Sequence, residues 1–174
     1  VPGGANEGFS WATRHAGRLF SLRAGTTYEI ELRLDDPDGG SETRTATAQT
    51  RPVPVVADDA AMVTATPSDV DAVIGAASPG TVVVLEPGTY PSITVTVDGT
   101  AGNPIVVRGS STSEVIVDGE VRMDGRSHVW IENLTVREQI KFNDSDHIVV
   151  RGCRVEARQA TGDGIVAYGS GTSA

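Results

Sequence analysis

The chain has 174 residues, 39% of them hydrophobic and 21% charged, with 14 basic against 23 acidic side chains and a formal net charge of −9. No apolar run approaches the roughly 18 residues that a membrane-spanning helix needs. One cysteine, Cys153, excludes a disulfide framework. The scattered histidines argue against a closed zinc site, and a pI near 4.7 argues against a general nucleic-acid binder. The sequence opens on Val1 with no signal peptide in view, so we expect a fragment of a longer protein.

The first segment, residues 1–52, reads as strands. Phe9-Ser10-Trp11-Ala12-Thr13 and Arg18-Leu19-Phe20-Ser21-Leu22 are short alternating stretches. Residues 27–34 alternate without a break and put Tyr28, Ile30, Leu32 and Leu34 on one face, the pattern of a half-buried strand. Asp35-Asp36-Pro37-Asp38-Gly39-Gly40 predicts a tight turn, because proline presets φ and Asp-Gly tolerates positive φ. Residues 43–50 return as a polar, threonine-rich strand. The acidic turn could also be read as a calcium loop, but no further ligands follow at loop spacing. The run from Leu22 to Tyr28 and the hairpin after it resemble the last strands of a fibronectin type III domain. By that resemblance Tyr28 holds the tyrosine-corner position, and a complete sandwich would need about 100 residues.

Residues 53–60 form a linker. Arg51-Pro52-Val53-Pro54 favours an extended, stiff chain, and Asp58-Asp59 keeps it solvated. Valine, nearly absent before this seam, is dense after it. From residue 61 a short strand, 61–65, leads into a helix expected near 67–77. Thr66 offers a capping hydroxyl, Pro67 suits the first helical position, and Val70, Val73, Ile74 and Ala77 form one apolar stripe.

Beyond the helix the sequence repeats. Ile105-Val106-Val107-Arg108-Gly109 recurs as Ile148-Val149-Val150-Arg151-Gly152, with Val129-Trp130-Ile131-Glu132 between them at spacings of 24 and 19. Glu120-Val121-Arg122-Met123-Asp124 matches Gln139-Ile140-Lys141-Phe142-Asn143 at the same 19-residue period, and Gly164-Ile165-Val166-Ala167-Tyr168-Gly169 reads as a further copy. Periods near 20 with β-branched strands mean a solenoid of stacked coils, and leucine is too scarce for leucine-rich repeats. A parallel β-helix remains, its open end covered by the helix near 67–77. The expected inward columns are Ile105–Val129–Ile148–Ile165 and Val107–Ile131–Val150–Ala167. Cys153 stacks with Leu134 as a small core residue. Asn133 faces Gly152 in the next coil, so no asparagine ladder is expected.

Four outward features bear on function. Arg122 and Lys141 share one position in consecutive coils; such a pair could hold the carboxylates or sulfates of an acidic polysaccharide, although a solvated surface near Glu120 is the simpler reading. Trp130 shares a column with Val106, Val149 and Val166; an exposed indole would stack on a sugar ring, while large aromatics more often bury. His128 and His147 repeat at the strand entrance and read as turn residues before they read as a catalytic base. Arg108, Glu132 and Arg151 alternate in sign, as in an interstrand charge ladder.

The order of strand, cap helix, Pro79-Gly80-Thr81, Pro87-Gly88-Thr89-Tyr90, Asn103-Pro104-Ile105 and Val115-Ile116-Val117-Asp118-Gly119 resembles the start of right-handed parallel β-helix carbohydrate enzymes. The similarity is greatest to polysaccharide lyase family six, the chondroitinase B and alginate lyase group, and covers about residues 61–157. The resemblance implies an all-β fold: a right-handed parallel β-helix, a pectate-lyase-like solenoid with an N-terminal capping α-helix, truncated at residue 174 and preceded by a partial fibronectin III-like sandwich. It also implies a secreted or cell-surface monomer whose partner is an acidic polysaccharide. Family lyases place their catalytic Lys and Arg and their calcium ligands in later coils. Catalytic positions are therefore expected beyond residue 174, with Ca2+ in the parent protein and no cofactor or metal in this segment. Here Arg122, Lys141 and Trp130 are the substrate-binding candidates. Two functions compete: a lyase cleaving uronate-containing polysaccharide by β-elimination, which needs a cation for the carboxylate, a base for the C5 proton and an acid for the leaving oxygen, and a non-catalytic adhesion protein that binds glycan or a partner.

Overall fold

The computed structural model describes residues 18–35, 37–158 and 162–169. The chain divides into two compact units, residues 1–55 and 56–174. The expected strand at 9–13 lies outside the described residues.

In the first unit, β1 (Thr27–Asp35) and β2 (Ser41–Gln49) form an antiparallel hairpin with Thr27 opposite Gln49 and Asp35 opposite Ser41. Tyr28 and Ile30 are half-buried, whereas Leu32 and Leu34 on the same face are exposed, so only the N-terminal half of the alternating face is covered. Residues 18–22 are not a strand. They run as exposed coil, and Ser21 takes a positive φ of 59°, which breaks an extended ladder.

The second unit begins with β3 (Ala61–Ala65), α1 (Val70–Gly75), β4 (Thr81–Leu85), β5 (Gly88–Tyr90) and β6 (Ile93–Thr94). The helix is shorter than its stripe predicts. Thr66 does not cap it; Asp69 holds the N-cap position and turns its carboxylate back to the Thr66 amide (2.6 Å) and hydroxyl (2.9 Å), closing a separate turn before the helix. Val70 and Ile74 are buried, and α1 lies against β3, β4 and β6.

Among the described residues nine strands follow: β7 (Ile105–Gly109), β8 (Val115–Val117), β9 (Val121–Arg122), β10 (Val129–Glu132), β11 (Thr135–Val136), β12 (Ile140–Lys141), β13 (Val149–Arg151), β14 (Arg154–Val155) and β15 (Ile165–Val166). They build three parallel sheets in the orders β3-β4-β7-β10-β13, β5-β8-β11-β14 and β6-β9-β12-β15. From β4 onward the chain visits the three sheets in rotation, so each strand pairs with the strand one circuit away. Among its described residues the unit is all-β apart from one short helix.

Alternation decides which side chains face in. Val83, Val107 and Ile131 pair along the first sheet and are fully buried; Ile105 pairs with Val129, and both are buried too. Burying each such side chain contributes about 1.5–3 kcal/mol. Val150 continues one column, and Ile148 packs on the same core. The fourth copy does not continue these columns. Ile165 pairs with Ile140 and Val166 with Lys141, in the third sheet, and Ile165 is 54% exposed. The spacing explains the difference: Ile148 to Ile165 is only 17 residues, too short for a full circuit here, while Ile140 to Ile165 allows one circuit with a longer loop.

Glycine is required at one corner. Gly109, Asn133 and Gly152 follow Arg108, Glu132 and Arg151 in register, and the Asn133 side chain occupies the space a Cβ on Gly152 would need. A Cβ on Gly109 would meet the Asn133 backbone carbonyl. Asn133 and Gly152 both have positive φ, 55° and 63°.

Candidate functional site

Arg122 and Lys141 are paired in register on β9 and β12, in a column that starts at Thr94 and ends at Val166. Their neighbours differ. Arg122 lies between two carboxylates, with Nη2 at 2.6 Å from Glu120 and Nε at 3.7 Å from Asp124. Glu120 is held in turn by Gln139 Nε2 at 3.0 Å. Lys141 has no ion-pair partner among the described residues and is half-buried. Of the two stacked cations, its ammonium is the less engaged by carboxylates.

Trp130 pairs with Val106 and Val149 but not with Val166, which belongs to the third sheet. It is 8% exposed and packs in a second apolar cluster with Val82 and Val106, against Val56, Ala60, Val84 and Val149. The Arg151 guanidinium lies 5.3 Å from its ring centroid. That cover leaves no open indole face for a sugar ring.

The charge ladder forms on the same sheet. Glu132, its side chain 3% exposed, accepts from Arg108 Nε (2.7 Å) at one oxygen and from Arg151 Nη2 (2.6 Å) at the other. Both arginines are charge-assisted partners to a carboxylate that would otherwise be buried unpaired. Cys153 follows at the corner, with its thiol directed at the Arg151 and Ile131 carbonyl oxygens (3.4 and 3.6 Å). Burial pushes its pKa up, so the thiolate needed for reactivity is disfavoured.

His128 and His147 stack on each other, with ring centroids 4.3 Å apart and planes 5° from parallel. Sequence spacing aligned them but missed their carboxylate neighbour, Asp146, whose Oδ1 is 3.3 Å from His147 Nδ1. These three form the one group among the described residues in which three His, Cys, Asp or Glu side chains could share an ion. Two imidazole nitrogens do not suit calcium, which takes oxygen ligands.

The sequence matches no protein-family model and no curated protein. Among solved structures it is similar to the alginate lyase AlyGC of the PL6 family, at 21% identity and a TM-score of 0.45, over 53% of this chain and 15% of that one. It is also similar to a mannuronic acid-specific polysaccharide family 6 lyase from human gut microbiota, at 25% identity and a TM-score of 0.46, over 57% of this chain and 27% of that one. The chain therefore spans less than a third of the length of either.

Proposed function

We propose that the chain supplies the first coils of a right-handed parallel β-helix that acts on an acidic, uronate-containing polysaccharide, in a secreted or cell-surface protein longer than this segment. The described coils are scaffold and the outer edge of a glycan groove; a β-eliminating centre, with any calcium, lies in later coils. The observation that carries this reading is the cation column: Arg122 and Lys141 in register on adjacent coils of one parallel sheet. Adjacent strands are about 4.8 Å apart, so two such cations face neighbouring acidic groups of one extended chain. The rotation of strands through three parallel sheets supports the solenoid, and parallel crossovers are right-handed in nearly all proteins. For the first unit, the fibronectin III-like reading is supported by Tyr28, whose hydroxyl oxygen accepts the Arg23 amide at 2.7 Å, a bond back to the backbone just upstream.

Affinity electrophoresis of this chain through gels containing polymannuronate or neutral dextran tests the reading. Retardation by polymannuronate alone is expected, weakening as salt rises. Lys141→Ala should weaken it by up to about fivefold, since an exposed contact is worth at most about 1 kcal/mol. Arg122→Ala should weaken it less, because its guanidinium is already paired. Equal retardation in both gels, or no change in the double variant, would overturn the glycan-edge assignment.

A further inference from the structure

The corner between the third and first sheets repeats at 19 residues, with 124–128 stacked on 143–147. Asn143 N donates to Asp124 Oδ1 at 2.8 Å, Arg126 N to Ser145 Oγ at 3.2 Å, and His128 N to the Asp146 carbonyl at 3.2 Å, while Ser127 bridges to Asp146. These bonds fix the backbone that carries His128, Asp146 and His147. One ligand atom from each lies within 4.8 Å of the others.

His128 and His147 have φ of 55° and 51°, a region in which histidine, like asparagine and aspartate, is enriched among non-glycine residues, so the turn tolerates both side chains. The comparable positive-φ column in the same coils is Asn133 over Gly152. The 128/147 column places imidazole at both levels instead. His128 Nδ1 is shielded from solvent and has no hydrogen-bond partner among the described residues, so the protein leaves that ring's polar edge unsatisfied. An unsatisfied, shielded nitrogen beside a second imidazole and a carboxylate points to a ligand.

We propose that His128, Asp146 and His147 bind a divalent transition-metal ion of the zinc type, which pins two successive coils together. Two imidazoles and one carboxylate are a borderline donor set, suited to Zn2+, Cu2+, Ni2+ or Co2+ and not to Ca2+ or Mg2+. Tetrahedral zinc with bonds near 2.0–2.1 Å holds its ligand atoms about 3.4 Å apart, so the three must converge by somewhat over an ångström, and the stacked His147 ring must turn out of parallel with His128 to aim its lone pair at the same ion. His128 is the more enclosed and acts as the fixed ligand. Asp146 and His147, each with a side chain 67% exposed, are free to rotate onto the ion. A fourth position is left to solvent. The assignment does not depend on the glycan reading.

The test uses the whole chain, freed of metal with EDTA, titrated with ZnCl2 in a calorimeter and with Cu2+ under paramagnetic resonance. One saturable Zn2+ site is expected, with nitrogen couplings from two imidazoles on copper and no competition from a tenfold excess of Ca2+. His147→Ala and Asp146→Asn, both at exposed side chains, should each weaken zinc by more than about tenfold, and His147→Ala should leave one nitrogen coupling. Circular dichroism of the metal-free variants should match the parent. His15→Ala, at the remaining histidine, should change nothing. The proposal is overturned by no saturable site, by affinity indifferent to both exposed-ligand variants, or by loss of binding in His15→Ala.

Discussion

Tyr90 shows how one side chain ties the start of the coils together. It is fully buried, and its hydroxyl lies 2.9 Å from the Ala65 carbonyl and 2.8 Å from that of Glu86, joining the end of β3 to the turn before β5. Burial, and after it the negative charges of Glu86 and Asp69, raises its pKa from 10.0 to about 12. The folded state thus holds the phenol proton where the unfolded chain has released it. The resulting contribution to stability is complete below pH 10 and is lost as pH rises towards 12. Denaturant midpoints measured across that range should fall more steeply for the parent chain than for Tyr90→Phe. At neutral pH the same variant should cost about 1 kcal/mol, the net worth of one hydrogen bond. Identical pH profiles would mean that the hydroxyl is not held as described. The Pro-Gly-Thr-Tyr motif was plain in the sequence, but nothing there showed that its tyrosine reaches back 25 residues.

Among the elements, the first sheet was the most legible because it is nearly a literal repeat. Five identical residues at 105–109 and 148–152, with opposite charges at Arg108, Glu132 and Arg151, fix both register and facing, and the pairing follows them. The third sheet was less so, since a longer loop before β15 breaks the 19-residue period and register cannot be counted across it. The sequence also left Trp130 open as a sugar platform; its cover comes from Val56 and Ala60, far away in the chain. The ladder predicts an asymmetry. Removing both arginines by Arg108→Ala with Arg151→Ala strands a buried carboxylate and should cost about 3–5 kcal/mol. Glu132→Gln leaves two arginines that are about a third exposed and can recover water, so its cost should be smaller, on the order of 2 kcal/mol. Urea denaturation ranks the two; the reverse order would contradict the ladder. The glycine corner gives a second ranking. Gly109→Ala drives a methyl into the backbone carbonyl of Asn133, whereas Gly152→Ala meets only its side-chain amide. The Gly152 variant carries positive-φ strain of about 1 kcal/mol as well, but Asn133→Gly should relieve its clash and should not rescue Gly109→Ala. Thermal melts of the four variants check this.

At the scale of the second unit, strands of the three parallel sheets pair only with their immediate neighbours in each sheet, so stability should be local along each sheet. Burial already grades this way: every residue of β10 is buried, those of β13 are intermediate, and Ile165 in β15 is largely exposed. Ile131→Ala removes a fully buried side chain on β10, an interior strand of the first sheet, and should cost about 2–5 kcal/mol. Ile165→Ala, which the repeat alone would have ranked as its equal, should stay within about 0.5 kcal/mol because little of its surface leaves water. Hydrogen exchange gives the spatial half of the same prediction. In the Ile131 variant, amides of β7, β10 and β13 should lose most protection, those of β4 less, and those of β3 least, since β3 lies two strands beyond β7. A uniform loss of protection from β3 to β13 would show one all-or-none unit, and the nearest-neighbour picture of the stack would have to be abandoned.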